Sequence, residues 1–536
     1  MAVQDGLLQR LNKFYDVGMA GRFEFSGYNP PMDTGMLKFS AAIRSQEDWM
    51  ARRNDTERRL EWYMLGKGMG LCSEDVTFVL NELEYYVRIS KPESDIRVGF
   101  YDMIWISEHL LDDNLRVSLV SQLDMLKLCP LSRNCIAKHD HFFLEHTSLC
   151  LMCPSMHVLD FNRTLFIAQD EIRSPEAALD YMGHGTCPGA CEKWDALYEK
   201  LDERHQIGWD YMDSGSKYCW RSRSMLPCEV DVDSNGKARL VSYVNNLHPV
   251  RHRGLYRTIE EILARMIPLF EEVLTDMVFP SRLRVFNDIC CWTDMRPKVP
   301  PIDSLSLDFT ADFIERYTQW YHTRLYVPTS CGEFTMPDRP NRPYSLRNHR
   351  LQVAVKAVEY NLPVSSDQKR TRRIDLPHTC LPNVCIIATA LYCYDTENVL
   401  TVKYTFMADY DEDGWEYYHE FDSYPRDSEL EEEKEGSDDD VEDRFYHDGT
   451  LEPSRSFATE SVKLGKCMCY SALYHCDGCE IEVIDTNKSA TVKVFVAYLV
   501  NPATRVMSTA MIPPQQIDWL LDAVFRLATF RRLPIL

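Results

Sequence analysis

The chain has 536 residues and a net charge of −23, with 45% apolar and 11% aromatic residues. This composition is typical of a globular protein and excludes a disordered or fibrous one, and the length allows two or three domains. The charge is uneven, because residues 427–443 hold eleven acids and one lysine, a net charge of −10 that leaves −13 for the rest. An acidic surface argues against non-specific nucleic-acid binding, although a local basic groove would be compatible with it.

The cysteine content and the apolar runs indicate the compartment. The chain has nineteen cysteines, and its first residues, MAVQDGLLQRLNKFYDVG, show no basic segment followed by an apolar one. No apolar run approaches the roughly 18 residues that span a bilayer. We therefore expect a cytoplasmic protein without membrane contact, whose thiols are reduced and mostly buried.

The first two segments of the chain favour helices. Residues 1–150 predict a mainly helical region, in which SEDVTFVLNELEYYVRI (73–89) begins with an N-cap serine and DNLRVSLVSQLDMLKL (113–128) repeats the amphipathic pattern. Residues 151–345 give mixed signals and are assigned to a helical and connecting region. Within it, residues 257–278 predict an amphipathic helix that Pro268 should end or kink.

Residues 346–536 have the pattern of strands. Runs rich in Val, Ile, Tyr and Thr, separated by polar loops, predict an antiparallel jelly-roll domain with an acidic insertion at 409–448 and a C-terminal helix. The runs are LQVAVKAVEYNL, VCIIATALYCYD, VLTVKYTFMADY, GKCMCYSALYHC and TVKVFVAYLVNP. The predicted fold class is therefore α+β, a helical N-terminal region followed by a jelly roll that resembles a double-stranded β-helix.

The acidic stretch contains Asp438, Asp439 and Glu442 in a D-D-x-x-E arrangement. A run of like charges between strands is usually a solvated loop. Paired carboxylates are also the natural partners of a guanidinium, which presents its donors in a planar fork. The residues alone leave both interpretations open.

Two sets of residues suggest metal sites. Cys150, Cys153, Cys187 and Cys191 have pair spacings near those of a four-thiolate zinc site, but buried thiols are the favoured interpretation among so many cysteines. His378, Cys380 and the distant His475 have the skeleton of a jelly-roll iron site, with cysteine at the position that needs a carboxylate. Core histidines without a metal are the alternative.

Several blocks resemble a large fungal family known as domain of unknown function 4246. They are SYVNNLHPVRHRGLY, LQVAVKAVEY, IATALYCYDTENV, AYLVNPATRVMSTAMIPPQQIDWL and, more weakly, CPSMHVLDFNRT, and they are colinear over roughly residues 150–520. Members of the family look like Fe(II)/2-oxoglutarate jelly-roll proteins with W-H-x-E in the first metal position. Here Pro377 and Cys380 replace the tryptophan and the glutamate, while His378 and His475 match the family's histidines.

A divergent branch, the arginine-containing cyclodipeptide synthases of fungal secondary metabolism, carries a D-D-x-x-E motif. This resemblance implies an aminoacyltransferase that forms a cyclo(Arg-Xaa) diketopiperazine from arginyl-tRNA and a second aminoacyl-tRNA. It assigns Asp438, Asp439 and Glu442 to the guanidinium site and requires no cofactor or metal. We take this synthase as the leading functional prediction, with His378, Cys380, His475 and Lys493 as further pocket candidates.

The basic segment DQKRTRRID supplies candidate tRNA contacts in Lys369, Arg370, Arg372 and Arg373, with a solvated loop as the equal alternative. The alternative function is a non-haem Fe(II)/2-oxoglutarate-type oxygenase, with His378 and His475 on the metal and Lys493 on the cosubstrate. A catalytically inactive jelly-roll interaction protein is a further alternative. The second amino acid and the oligomeric state do not follow from the sequence.

Overall fold

The computed structural model of the chain describes most residues between 34 and 524. The described residues are 34–46, 48–141, 146–154, 156–160, 163–167, 172–187, 223–279, 281, 333–340, 344–364, 369–375, 385–409, 454–474, 476, 478–522 and 524. The helices in these ranges are α1 (Thr34–Arg44), α2 (Trp49–Arg52), α3 (Thr56–Gly68), α4 (Ser73–Ile89), α5 (Asp113–Leu128) and α6 (Arg253–Val278). Residues 517–522 are also helical.

The strands fall into two antiparallel sheets and one small pair. They are β1 (Arg97–Val98), β2 (Ile104–Ser107), β3 (Ala137–His141), β4 (His146–Leu151), β5 (Leu159–Asp160), β6 (Arg223–Ser224), β7 (Cys228–Val232), β8 (Ala238–Leu240), β9 (His349–Leu362), β10 (Thr371–Asp375), β11 (Ile386–Glu397), β12 (Val399–Asp409), β13 (Ser454–Val462), β14 (Cys467–Ser471), β15 (Gly478–Val483) and β16 (Ala490–Val500).

The larger sheet, here the major sheet, has the order β1-β2-β14-β11-β16-β9-β4-β3, and β7 joins it by pairing with β9 and β8. The smaller sheet, here the minor sheet, has the order β10-β15-β12-β13. Helices followed by antiparallel sheets confirm the predicted mixture of helix and sheet. The major sheet draws strands from all three predicted segments, and the division into those segments stays a prediction.

The central strands of the major sheet are covered on both faces. In β9, ten consecutive residues from Leu351 to Tyr360 are buried, and β16 is buried without interruption from Phe495 to Val500. Strands buried on both faces read as continuous apolar runs, which is the pattern that predicted them. Helix α6 contacts β2, β8, β11 and β14, and α5 contacts β4 and β11, so the helices cover one face.

Two helices differ from their predicted form. Helix α4 has Ser73 inside it and Cys72 as its N-cap, and the Cys72 sulfur accepts from the Asp75 amide at 3.3 Å. Helix α6 continues through Pro268 to Val278. Pro268 removes one backbone hydrogen bond, but burial of neighbours such as Leu269 and Phe270 stabilises the helix through tertiary packing.

A buried ionic network joins α6 to the N-terminal strands. Arg339 donates to Glu272 at 2.7 Å and to Asp276 at 2.9 Å. Asp276 also accepts from the Trp105 indole at 2.6 Å and from the Met103 amide at 3.1 Å. Because every charged member has partners, the network satisfies the condition under which buried ions are tolerated.

Among the residues that the structure describes, no helix has both the length and the apolar character needed to cross a bilayer. The cytoplasmic location stays a prediction.

Replacing Arg339 with Met should leave Asp276 buried without its cation and Glu272 with Lys91 as its remaining cation. Breaking a buried pair in this way costs about 3–5 kcal/mol. We expect the urea midpoint of the R339M variant to fall sharply. The matched control is R53M, because Arg53 pairs with Glu84 at 2.7 Å while half of the Glu84 side chain is exposed. A control loss as large as that of R339M would contradict the special role of the buried network.

Candidate functional site

The two sheets face each other, and the space between them is the candidate site. The Phe406 ring of β12 packs against the Tyr470 ring of β14, with 5.0 Å between ring centroids. Tyr404 of β12 also lies close to Tyr360 of β9 and Cys393 of β11, and burial together with these neighbours raises the pKa of Tyr404. We call the surface that the major sheet turns toward the minor sheet its inner face, and the opposite surface, under the helices, its outer face.

The pleat of the strands assigns every side chain of the major sheet to one of these faces. Lys356 and Val496 are directly opposite each other, as are Tyr360 and Val492, and successive residues alternate between faces. Lys356, Val358 and Tyr360 therefore share the inner face of β9, whereas Glu359 lies on the outer face. Helix α5 confirms the second placement, because Lys127 contacts Glu359 at 2.8 Å.

Lys356 is a buried cation on the inner face, with 5% of its surface exposed. Its ammonium lies 5.4 Å from the centre of the Tyr498 ring. Burial lowers the pKa of Lys356, but the Tyr498 hydroxyl and the thiols of Cys150 and Cys153 outweigh burial, so that the pKa is raised. Lys356 therefore places a positive charge in the interior.

Arg372 is the corresponding cation of the minor sheet. Its neighbours along β10, Thr371 and Arg373, are exposed, whereas Arg372 is 7% exposed and Ile374 is fully buried. This alternation turns Arg372 inward, where its Nη1 donates to the Pro363 carbonyl. Arg372 is therefore not available to tRNA phosphates, and the candidate tRNA contacts that remain exposed are Lys369, Arg370 and Arg373.

Lys493 lies on the outer face of the major sheet. It is opposite Glu359 on one neighbouring strand and opposite Asp395 on the other, and its ammonium contacts Asp395 at 2.8 Å. Its strand neighbours Val492 and Val494 occupy the inner face. The structure therefore separates Lys493 from the interior that it was expected to serve.

The three predicted metal-site residues His378, Cys380 and His475 lie outside the described residues. The strand ends that lead to them are described, because β10 ends at Asp375 and β15 begins at Gly478, and these two residues are directly opposite each other. His378 follows Asp375 by three positions and His475 precedes Gly478 by three. Both histidines are thus three positions in the sequence from the same end of the β10–β15 ladder.

The acidic motif Asp438, Asp439 and Glu442 also lies outside the described residues, as does nearly all of the predicted insertion at 409–448. The exposed basic residue Arg370 pairs with Glu482 at 3.0 Å. Its charge is therefore partly neutralised on the protein surface.

The described cysteines do not form the four-thiolate site. Cys150 and Cys153 are buried, Cys187 is exposed, and Cys191 lies outside the described residues. No group of three or more potential metal ligands occurs among the described residues. Hydrogen bonding with Cys153 and burial raise the pKa of Cys150 well above its usual range, so buried thiols account for this pair.

Three of the sequence blocks meet beside the inner face and form one clip. Asn246 of the N-N-L-H-P block donates to the carbonyls of Cys153 at 2.7 Å and Met156 at 2.8 Å. Gln516 of the P-P-Q-Q block donates to the Asn246 side chain at 3.0 Å, and the His248 and Trp519 rings lie 5.0 Å apart. The clip fixes the chain that carries Cys153 next to Lys356.

Sequence reasoning missed Lys356 and misplaced Arg372. The signal for Lys356 was available, because it is a single lysine in the apolar run VAVKAVEY, three positions from the acid Glu359. An odd separation within a strand places two residues on opposite faces, so one charge of this pair had to face the interior. The signal for Arg372 was its position two residues before Ile374 in the run T-R-R-I-D, because residues two apart in a strand share a face.

Comparisons with known proteins give one family and one weak structural likeness. A family model described as "Protein of unknown function (DUF4246)" matches residues 73–523. No curated protein matches the chain. A solved structure described as "Selenomethionine labeled Fe(II)/(alpha)ketoglutarate-dependent dioxygenase TqaL" covers 73% of this chain and 90% of its own, at 8% identity and a TM-score of 0.16. That score is too low to support an argument from the likeness.

The comparisons confirm the resemblance to the family and contradict the synthase prediction. The matching family is one of unknown function, and neither its description nor that of the solved structure names an aminoacyltransferase. The prediction of an arginine-containing cyclodipeptide synthase, and of a tRNA-dependent aminoacyltransferase, is therefore wrong. The two aminoacyl-tRNA partners depended on that activity and are untested.

Buried thiols should be inert in the folded protein. Burial raises the pKa of Cys228 and of Cys393 to about 12. We expect neither to react with Ellman's reagent at pH 8 without urea, whereas Cys187, which is exposed, should react. Peptide mapping that finds Cys228 or Cys393 modified as fast as Cys187 would contradict this.

The raised pKa values of Cys228 and Cys393 predict that the stability of the protein depends on pH. The pKa of a cysteine in an unfolded chain is about 8.5, below the pKa values of these two thiols in the folded protein. Their contribution to stability is therefore fully present below about pH 8.5 and is lost as the pH rises toward 12. Urea unfolding at pH 8 and pH 10 should show a lower free energy of unfolding at pH 10.

Proposed function

The chain belongs to the DUF4246 family, and we propose that it is a non-haem iron oxygenase of the 2-oxoglutarate type, built on a jelly roll. The observation that carries the proposal is the register of β10 and β15. It pairs Asp375 with Gly478, the two strand ends from which the chain leads to His378 and to His475. Two imidazoles are two of the three ligands in the 2-His-1-carboxylate set of such enzymes.

The order of the last eight strands supports the jelly roll. Strands β9, β11, β14 and β16 belong to the major sheet, and β10, β12, β13 and β15 belong to the minor sheet. The chain therefore crosses between facing sheets at nearly every connection, and all the pairings are antiparallel. Double-sheet jelly rolls are built from eight strands in two such sheets.

Two of the three donors match the usual iron-binding set, and the third differs from it. His378 and His475 would supply imidazoles, and Cys380 would supply a thiolate where the usual set has a carboxylate. Thiolates ligate iron in other protein sites. The bound ion would supply activation of dioxygen, with 2-oxoglutarate as the electron donor.

The described residues would shape the environment of that centre. Lys356 places positive charge on the inner face, where an acidic ligand would be attracted. The Tyr404 hydroxyl is buried and has no hydrogen-bond partner among the described residues, so it is available to donate to a ligand. Lys493 is not proposed to hold the cosubstrate, because it pairs with Asp395 on the outer face.

Iron binding and cosubstrate turnover test the proposal. Anaerobically purified protein with added Fe(II) should bind about one iron per chain and form succinate from 2-oxoglutarate in air. The H378A and H475A variants should lose most of the iron and at least about 100-fold in succinate formation, because second-shell changes alone cost 10–100-fold. Iron is measured by mass spectrometry and succinate by chromatography.

Two variants serve as controls. H109A removes an exposed histidine and should keep the iron. K493M should leave the concentration of 2-oxoglutarate needed for half-maximal turnover unchanged. Iron content equal in wild type, H378A and H475A, or no succinate from iron-loaded wild type, would refute the oxygenase.

A further inference from the structure

The guanidinium of Arg372 is buried between the sheets with most of its donors unused. Nη1 donates to the Pro363 carbonyl, whereas Nε and Nη2 have no partner among the described residues. Only 7% of the residue is exposed. Little water can therefore reach the guanidinium to take the place of the missing hydrogen-bond partners.

An unpartnered buried guanidinium is energetically unfavourable. Arginine cannot lose its proton in a protein, so this side chain cannot become neutral as a buried lysine can. Its neighbours are apolar, because Ile481 is opposite it in the ladder, Val402 is opposite Ile481 on the next strand, and all three positions are buried. The fold thus maintains a cation whose counter-charge the described residues do not provide.

The unused atoms define the shape of the missing anion. Nε and Nη2 form one edge of the guanidinium, and this chain uses that edge elsewhere for carboxylates. Arg350 donates through Nε and Nη2 to the two oxygens of Asp231, at 2.7 Å and 3.2 Å. Arg52 directs the same two atoms to one carboxylate oxygen of Asp55, at 3.3 Å and 3.1 Å. A planar anion with two oxygens matches this edge.

We propose that Arg372 binds the carboxylate of a small organic acid between the two sheets. The bond is bidentate, from Nε and Nη2 to the two carboxylate oxygens. Val402 and Ile481 contact the apolar stem of the acid, and the charge is neutralised without a residue of the protein. This site rests on Arg372 and its neighbours and needs no iron, so it stands or falls separately from the proposed oxygenase.

Ligand binding to the full-length, metal-free protein in EDTA tests the site. The probes are 2-oxoglutarate, hexanoate and its neutral analogue hexanamide. At least one carboxylate should raise the melting temperature and bind in calorimetry, and hexanamide should not. The R372Q variant should weaken carboxylate binding about tenfold or more, because it loses the charged hydrogen bonds from Nε and Nη2 to the carboxylate. The R373Q variant changes the exposed neighbour and should bind like wild type.

The two carboxylates distinguish the source of the anion. Stabilisation by 2-oxoglutarate alone identifies the cosubstrate as the ligand, and stabilisation by hexanoate identifies a separate acidic substrate. No stabilisation by either acid, or equal stabilisation of wild type and R372Q, overturns the proposal. Succinate formation by wild type would be unaffected by that outcome.

A second measurement needs no ligand. If no protein group neutralises Arg372, replacing it with Met removes an unfavourable charge, and the melting temperature of the ligand-free protein should rise or stay the same. A marked fall in R372M would mean that a carboxylate of the chain already pairs with Arg372. Asp367, which lies outside the described residues, would then be the residue to test, and the proposal would be overturned.

Discussion

Burial of the major sheet on both faces is the constraint on which the rest of the structure depends. A strand covered on both sides has no solvent-exposed row, so each charged residue in it needs a partner in the layer that it faces. On the outer face this rule is satisfied visibly, because Lys127 reaches Glu359 and Lys493 reaches Asp395. On the inner face Lys356 has the Tyr498 ring and two thiols as neighbours. The two faces thus differ, because the lysines of the outer face have carboxylate partners, whereas Lys356 has an aromatic ring and thiols.

The elements of the fold followed from the sequence where packing and local preference agree. The runs that became β9, β11, β12, β14 and β16 are apolar and rich in β-branched and aromatic residues, so one pattern determines both the strand and its burial. The amphipathic segments 73–89 and 113–128 became helices, with Ser73 as the first helical residue instead of the N-cap. Details that depend on a single atom were less accessible, such as the cap of α4 by the Cys72 sulfur.

The candidate site was harder to predict, because the face that a residue occupies depends on pairing between distant strands. Lys493 and Lys356 both lie in apolar runs, and only the register with β9 and β11 shows that the first is on the outer face. Arg372 lies among basic residues that suggested a surface patch, yet its position in β10 turns it inward. The run of basic residues thus suggested that Arg372 lies at the surface, whereas the alternation of side chains along β10 places it in the interior.

The pairing of β2 with β14 has a consequence for how the chain is made. In this ladder Ser107 lies opposite Cys467, and 360 residues separate them in the sequence. At about 5–20 residues per second, a ribosome needs roughly 20–70 seconds to deliver the second strand after the first. During that interval the edge of β2 is without its neighbour, and an unpaired strand edge is a template for association with other chains. The nascent protein therefore carries a strand edge in its N-terminal part that its own chain covers only when the last strands emerge.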